Sequence, residues 1–150
     1  MLKTLFIPII IMSHLFAQKV EFLQSEEFKQ TNMPFSEAVR VGNLLFLSGQ
    51  IGEVYTNIPG ETELIEGGIR AETRQTMDNI KSVLERNGLS LDDVVKCTCM
   101  LADISEWAAM SEEYIKYFPN NKPARSAFAG TGLAMGARVE IECIAVYSQE

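Results

Sequence analysis

The chain has 150 residues, 47% of them hydrophobic and 22% charged, with 10 Gly and 5 Pro. That length and balance argue against disorder, a collagen-like repeat or two domains, and they supply one core that needs no metal or disulfide staple. The 20 acidic residues outnumber the 13 basic ones for a net charge of -7. No run of Lys or Arg exists to track a phosphate backbone, so a dedicated nucleic-acid binder is disfavoured.

The first 17 residues read as a secretory signal peptide. Lys3 gives the positive start, Leu5 to Met12 is apolar apart from Pro8, and Ala17 is a small residue at the cleavage position. A membrane span needs about 20 apolar residues, and Ser13 and His14 interrupt the run first. The expected division is a signal peptide over 1–17 and a single domain over 18–150. The protein is then exported, periplasmic or secreted, with no membrane attachment after cleavage. Cleavage removes Lys3, taking the charge to -8, and removes His14, the chain's one histidine. Ser-His-Asp and Cys-His catalysis and His-containing zinc sites are thereby excluded. Chemistry falls to Arg, Lys, Glu, Asp, Tyr, Ser, Cys or backbone groups. Cys97, Cys99 and Cys143 match no zinc-finger or ribbon spacing and read as buried core thiols.

In chain order, Val20 to Leu23 fits a short edge strand. Ser36 to Val41 and Leu44 to Ser48 are strand-like around Gly42-Asn43, a hairpin signal. Glu53 to Gly68, with Pro59-Gly60 and Gly67-Gly68, reads as a loop. Ile69, Thr73, Met77, Ile80 and Leu84 form the stripe of an amphipathic helix, which Asn87-Gly88 stops. Leu91 to Leu101 alternates as a strand, with Cys97 and Cys99 on one face. Asp103 or Ser105 caps a second helix carrying Trp107, Met110, Tyr114, Tyr117 and Phe118, an aromatic stripe expected in the core, and Pro119 ends it. Ala124 to Phe128 is extended, Ala129 to Gly132 is a turn, and Arg138 to Tyr147 is the last strand. The order β-β-α-β-α-β-β predicts an α+β domain, a mixed sheet with two helices on one face.

Such a sheet leaves its other face to solvent or a partner. Glu140 and Glu142, two apart in the last strand, share that face. Arg125, in the preceding strand, is expected close to one of them. An arginine held in place grips a carboxylate with two parallel hydrogen bonds, and a glutamate beside it can hold a water or a proton. The same residues also fit a plain salt bridge at a sheet edge or subunit contact.

Three stretches together resemble the Rid (reactive intermediate deaminase) family, also called YjgF or L-PSP endoribonuclease. They are Val41-Gly42-Asn43-Leu44-Leu45-Phe46-Leu47-Ser48-Gly49-Gln50-Ile51, Gly67-Gly68-Ile69 with Thr73-Arg74-Gln75 and Asn79-Ile80, and Pro123-Ala124-Arg125-Ser126 with Val139 to Ala145. The resemblance runs from about Pro34 to Tyr147. It implies a chorismate-mutase-like α+β fold and a homotrimer with three intersubunit clefts. It also implies hydrolysis of 2-imino acids, such as 2-iminopropanoate and 2-iminobutanoate, to 2-keto acids and ammonia without metal or organic cofactor. In that reading Arg125 binds the substrate carboxylate, Glu140 positions and activates water, and Ser48 and Gly49 line the pocket. Phe35 stands where a Tyr is usual, keeping the aromatic wall without its hydroxyl. Ala127 and Ser111 replace a frequent Cys and Asn. Two other readings are a secreted trimer that captures small carboxylates at Arg125 without catalysis, and a ribonuclease or translation inhibitor. The acidic charge speaks against the second of these.

Overall fold

The computed structural model describes residues 18–148, so the expected signal peptide lies outside the described residues. Strand β1 (Val20–Leu23) and the short helix α1 (Glu26–Gln30) lead into β2 (Ala38–Val41) and β3 (Leu44–Ile51). A small hairpin follows, β4 (Glu53–Tyr55) and β5 (Thr62–Leu64), and then the long helix α2 (Gly68–Arg86). Strand β6 (Val94–Leu101), helix α3 (Trp107–Tyr114), β7 (Ala124–Ala129) and β8 (Val139–Val146) complete the chain. The main sheet has the order β1-β2-β3-β8-β6-β7; only β6 and β7 run parallel, joined through α3. The sheet is mixed, with α2 and α3 over one face, as the periodicities predict.

Strand alternation sorts the two faces. Leu45, Leu47, Cys97, Cys99, Leu101, Val139, Ile141, Cys143 and Ala145 are buried and meet Met77, Ile80 and Leu84 of α2 and Met110 and Tyr114 of α3. Each of the large aliphatic residues buried there contributes roughly 1.5–3 kcal/mol relative to exposure. The Cys97 and Cys143 thiols touch across β6 and β8, and all three cysteines are buried, as expected. The α2 stripe is the core face foreseen for it. The helix ends as its Asn87-Gly88 pair requires, with Leu89 N–H donating back to the Leu84 carbonyl at 2.9 Å.

Charged groups fix how the helices sit. Glu72, buried on α2, accepts from the Arg138 backbone N–H at 2.7 Å and anchors the start of β8. Glu113 on α3 meets Lys116, Arg74 and Arg70. Lys116 first, with both arginines, holds its carboxyl down to about 2.

Two local expectations change, over residues 53–68 and 91–93, and helix α1 is an element the sequence reading did not foresee. The segment Glu53 to Gly68 contains the β4–β5 hairpin, whose three-residue strands are too short to show alternation. Helix α1 has only five residues and no apolar stripe; what forms it is the Ser25 cap, whose Oγ accepts from Phe28 N–H at 3.1 Å. Residues 91–93 form a single 3-10 turn before β6, set by Asp93 accepting from the Ser90 backbone and hydroxyl.

Candidate active site

Glu140 lies on the face opposite the helices, beside Met100 of β6. Its carboxyl reaches over Gly49, where a Cβ would stand 2.8 Å from Glu140 Cδ. Glycine at this position is therefore the condition for Glu140 to lie across β3. Burial raises the Glu140 pKa, and the like charge of Glu142 raises it further. Among the described residues no cation pairs with Glu140 and no donor bonds to it.

Arg125 lies elsewhere. Its register partner in β6 is Cys97, a core residue, so its side chain belongs to the helix face. There the guanidinium carbon stands 4.9 Å from the Tyr114 ring centre and 5.2 Å from that of Trp107. Within one chain Arg125 and Glu140 are therefore two strands apart and on opposite faces, which corrects the expectation that they are neighbours. The reason is the order β8-β6-β7: the strand that follows α3 returns to the outside of β6 rather than beside β8.

The other five arginines, Arg40, Arg70, Arg74, Arg86 and Arg138, each have a carboxylate within 4.0 Å. Arg125 has none among the described residues. Two ring faces hold it by their quadrupoles while its N–H donors stay uncommitted, an arrangement suited to a planar anion. Trp107 and Tyr114 are the residues the sequence reading assigned to the core alone. Their spacing of seven on α3 puts both on one helix face, the available signal that they act as a pair. Tyr114 is buried and its hydroxyl has no partner among the described residues, while Trp107 is 44% exposed.

Ser48 donates its hydroxyl to the Ser36 carbonyl at 2.6 Å and its N–H to the Glu37 carbonyl, which fixes the backbone next to Gly49. Phe35 is exposed and packs on Phe28 with ring centres 5.7 Å apart. A cavity of about 530 Å3 includes Phe35 and Gly49 in its wall but neither Arg125, Ser48 nor Glu140. No group of three or more His, Cys, Asp or Glu among the described residues is placed to hold a metal ion.

Residues 26–147 match the family model described as Endoribonuclease L-PSP. The chain is 43% identical over 112 residues to a RutC family protein of Pyrococcus horikoshii, covering 75% of this chain and 86% of that one. It is 38% identical over 113 residues to the human 2-iminobutanoate/2-iminopropanoate deaminase, covering 75% of this chain and 80% of the human one. The crystal structure of the yeast protein YEO7 superposes with a TM-score of 0.76 at 38% identity, covering 87% of this chain and all of that one.

Proposed function

The chain belongs to the Rid family, also known as endoribonuclease L-PSP, and from that premise we propose that it hydrolyses 2-imino acids at sites formed between the subunits of a homotrimer. The substrates are of the 2-iminopropanoate and 2-iminobutanoate type, and the products are the 2-keto acid and ammonia. The observation that carries this reading is the pair of unmatched charges: an arginine with free donors on one face and a glutamate of raised pKa on the other.

A head-to-tail ring repeats one junction at every interface. In it Arg125 of one subunit meets Glu140 of the next. The open face suits such an assembly, since Phe22, Phe46 and Phe128 are all exposed on the main sheet.

Arg125 grips the substrate carboxylate and holds the imine carbon against a water on Glu140. The carbon is already electrophilic, so orientation supplies much of the rate. Water adds to it as Glu140 takes a proton. The carboxyl returns that proton to nitrogen, giving a neutral carbinolamine. The carboxylate then takes the carbinolamine hydroxyl proton and passes it to nitrogen as the carbonyl forms, so the C–N bond breaks and ammonia leaves with the keto acid. The raised pKa brings Glu140 nearer the range in which one group both accepts and donates. Ser48 and Gly49 line the pocket and Phe35 adds an aromatic wall.

Mixing subunits tests the junction directly. Arg125→Ala and Glu140→Gln proteins are each expected to release little ammonia from imine generated by an amino-acid oxidase. Unfolded and refolded together at equal amounts, they regain activity, because about a quarter of junctions in random trimers carry both intact residues. No recovery in mixed trimers would show that the two residues do not meet across subunits. We also propose that the chain acts outside the cytosol after loss of residues 1–17; N-terminal sequencing of the exported form beginning at Gln18 is the check.

A further inference from the structure

The three cysteines of the chain take no part in the proposed reaction, and the fold treats them unequally. Cys97 on β6 and Cys143 on β8 stand directly opposite each other in an antiparallel pair. Residues so opposed have Cα atoms about 4.5–5.5 Å apart, inside the roughly 4.4–6.8 Å that a disulfide spans. Both side chains point into the core beneath the helices, with their sulfurs 2.9 Å apart, against about 2.05 Å once bonded. Cys99, on the same face of β6, lies opposite Ile141 on one side and Ala127 on the other. The strand register thus brings two of the thiols together and leaves the third alone.

The pair is also set up to react. The hydrogen bond from Cys143 foremost, and after it the Tyr114 hydroxyl and the charges of Lys96 and Arg125, lower the Cys97 pKa against the opposing effect of burial. That hydroxyl is buried and has no hydrogen-bond partner among the described residues, so a thiolate at Cys97 gives it an acceptor. The bond between the two thiols raises the Cys143 pKa, so the first proton leaves Cys97 and Cys143 keeps the other. Burial pushes the Cys99 thiol up to about 12, which keeps it protonated and a poor nucleophile.

We propose that Cys97 and Cys143 are a modification site, oxidised to an intrachain disulfide by exchange with a disulfide oxidant as the chain folds. The Cys97 thiolate attacks one sulfur of the oxidant, forming a mixed disulfide and releasing the other sulfur as a thiolate. Cys143 gives its proton to that thiolate, attacks Cys97 Sγ and displaces the remaining sulfur. Two cysteine thiols are oxidised, the oxidant is reduced to two thiols, and the protons end on them. The cysteines are buried in the finished domain, so the exchange belongs to folding, before α2 and α3 cover the sheet, and the product is then shielded from reductant. A chain exported as proposed above meets such oxidants while it folds. The bond closes a loop over residues 97–143 that contains Trp107, Tyr114, Arg125 and Glu140. It therefore removes unfolded-state freedom from the segment that carries the proposed site.

Refolding the full chain from denaturant with oxidised and reduced glutathione, and in parallel with reductant alone, tests the assignment. Denatured afterwards without reductant, the oxidised protein is expected to take up one iodoacetamide label per chain and the reduced protein three, one for each cysteine. Trypsin cuts after Lys96, Lys116 and Arg138, which puts the pair on separate peptides. Mass spectrometry is expected to find 97–116 joined to 139–150, and to find the same link in Cys99→Ala, which then takes up no label. The oxidised form is expected to melt roughly 5–15 °C above the reduced one. Three labels after oxidative refolding, a link through Cys99, or links only between chains would overturn the pairing. An oxidised form that melts no higher than the reduced one would overturn its action on the unfolded state. None of these readouts involves imine hydrolysis, so their failure leaves that reading standing.

Discussion

Strands β7 and β8 both flank β6, yet they carry their functional charges in opposite ways. Arg125 on β7 faces the helices and rests between two aromatic rings. Glu140 on β8 faces away from the helices and lies over a glycine, next to a second acid. Neither has an opposite charge within its own chain among the described residues. Pairing either one internally would stabilise the monomer and remove the charge from use, since a matched ion pair leaves few free hydrogen-bonding sites. The lesson is that one chain keeps both charges available by holding them on opposite faces of its sheet.

The comparison breaks most readily at the cation. Arg125→Ala is expected to lower kcat/KM for 2-imino acids by more than about tenfold, and by up to about a thousandfold, while size-exclusion chromatography shows the same assembly. Activity within tenfold of the parent would remove Arg125 from the mechanism. The anion is tested through its support: Gly49→Ala puts a methyl group where the Glu140 carboxyl lies, and a displacement of about 1 Å costs about 100-fold in kcat. A normal kcat in that variant would show that Glu140 does not act from its position over β3.

Smaller effects sharpen the contrast. Trp107→Ala removes one of two ring contacts of about 0.5–1 kcal/mol, so KM is expected to rise up to about fivefold with kcat little changed, and Trp107→Phe to restore it. A fall in kcat alone, or failure of Phe to restore KM, would argue for a merely structural role. Glu142→Gln removes the like charge that helps raise Glu140. The carboxylate then persists to lower pH, so the acid limb of the kcat/KM profile moves down. The shift removes only the smaller part of the rise, because burial is the larger cause. An unmoved limb would mean that another group controls it.

Much of this was legible in the chain alone. Helix α2 follows from its apolar spacing and its Asn87-Gly88 stop, and β8 from alternation that puts Val139 and Ile141 inside and Glu140 and Glu142 outside, because side-chain period is a local property of the backbone. The motifs around Ser48, Arg125 and Glu140 carried the family. Short elements escaped: α1 and the β4–β5 hairpin owe their shape to the Ser25 cap and to the contact of Gly60 with Gln30, which no period records.

What the tertiary structure alone decided was which strand lies beside which. Periodicity gives the face of each strand relative to itself, but whether Arg125 and Glu140 share a face depends on β7 pairing outside β6 and on the register Cys97 with Arg125. That choice is made by packing of α3 against the core, a long-range balance of buried area rather than a preference of neighbouring residues. The aromatic seat under Arg125 and the ringed cavity beside Gly49 have the same origin, since each brings together segments far apart in the chain.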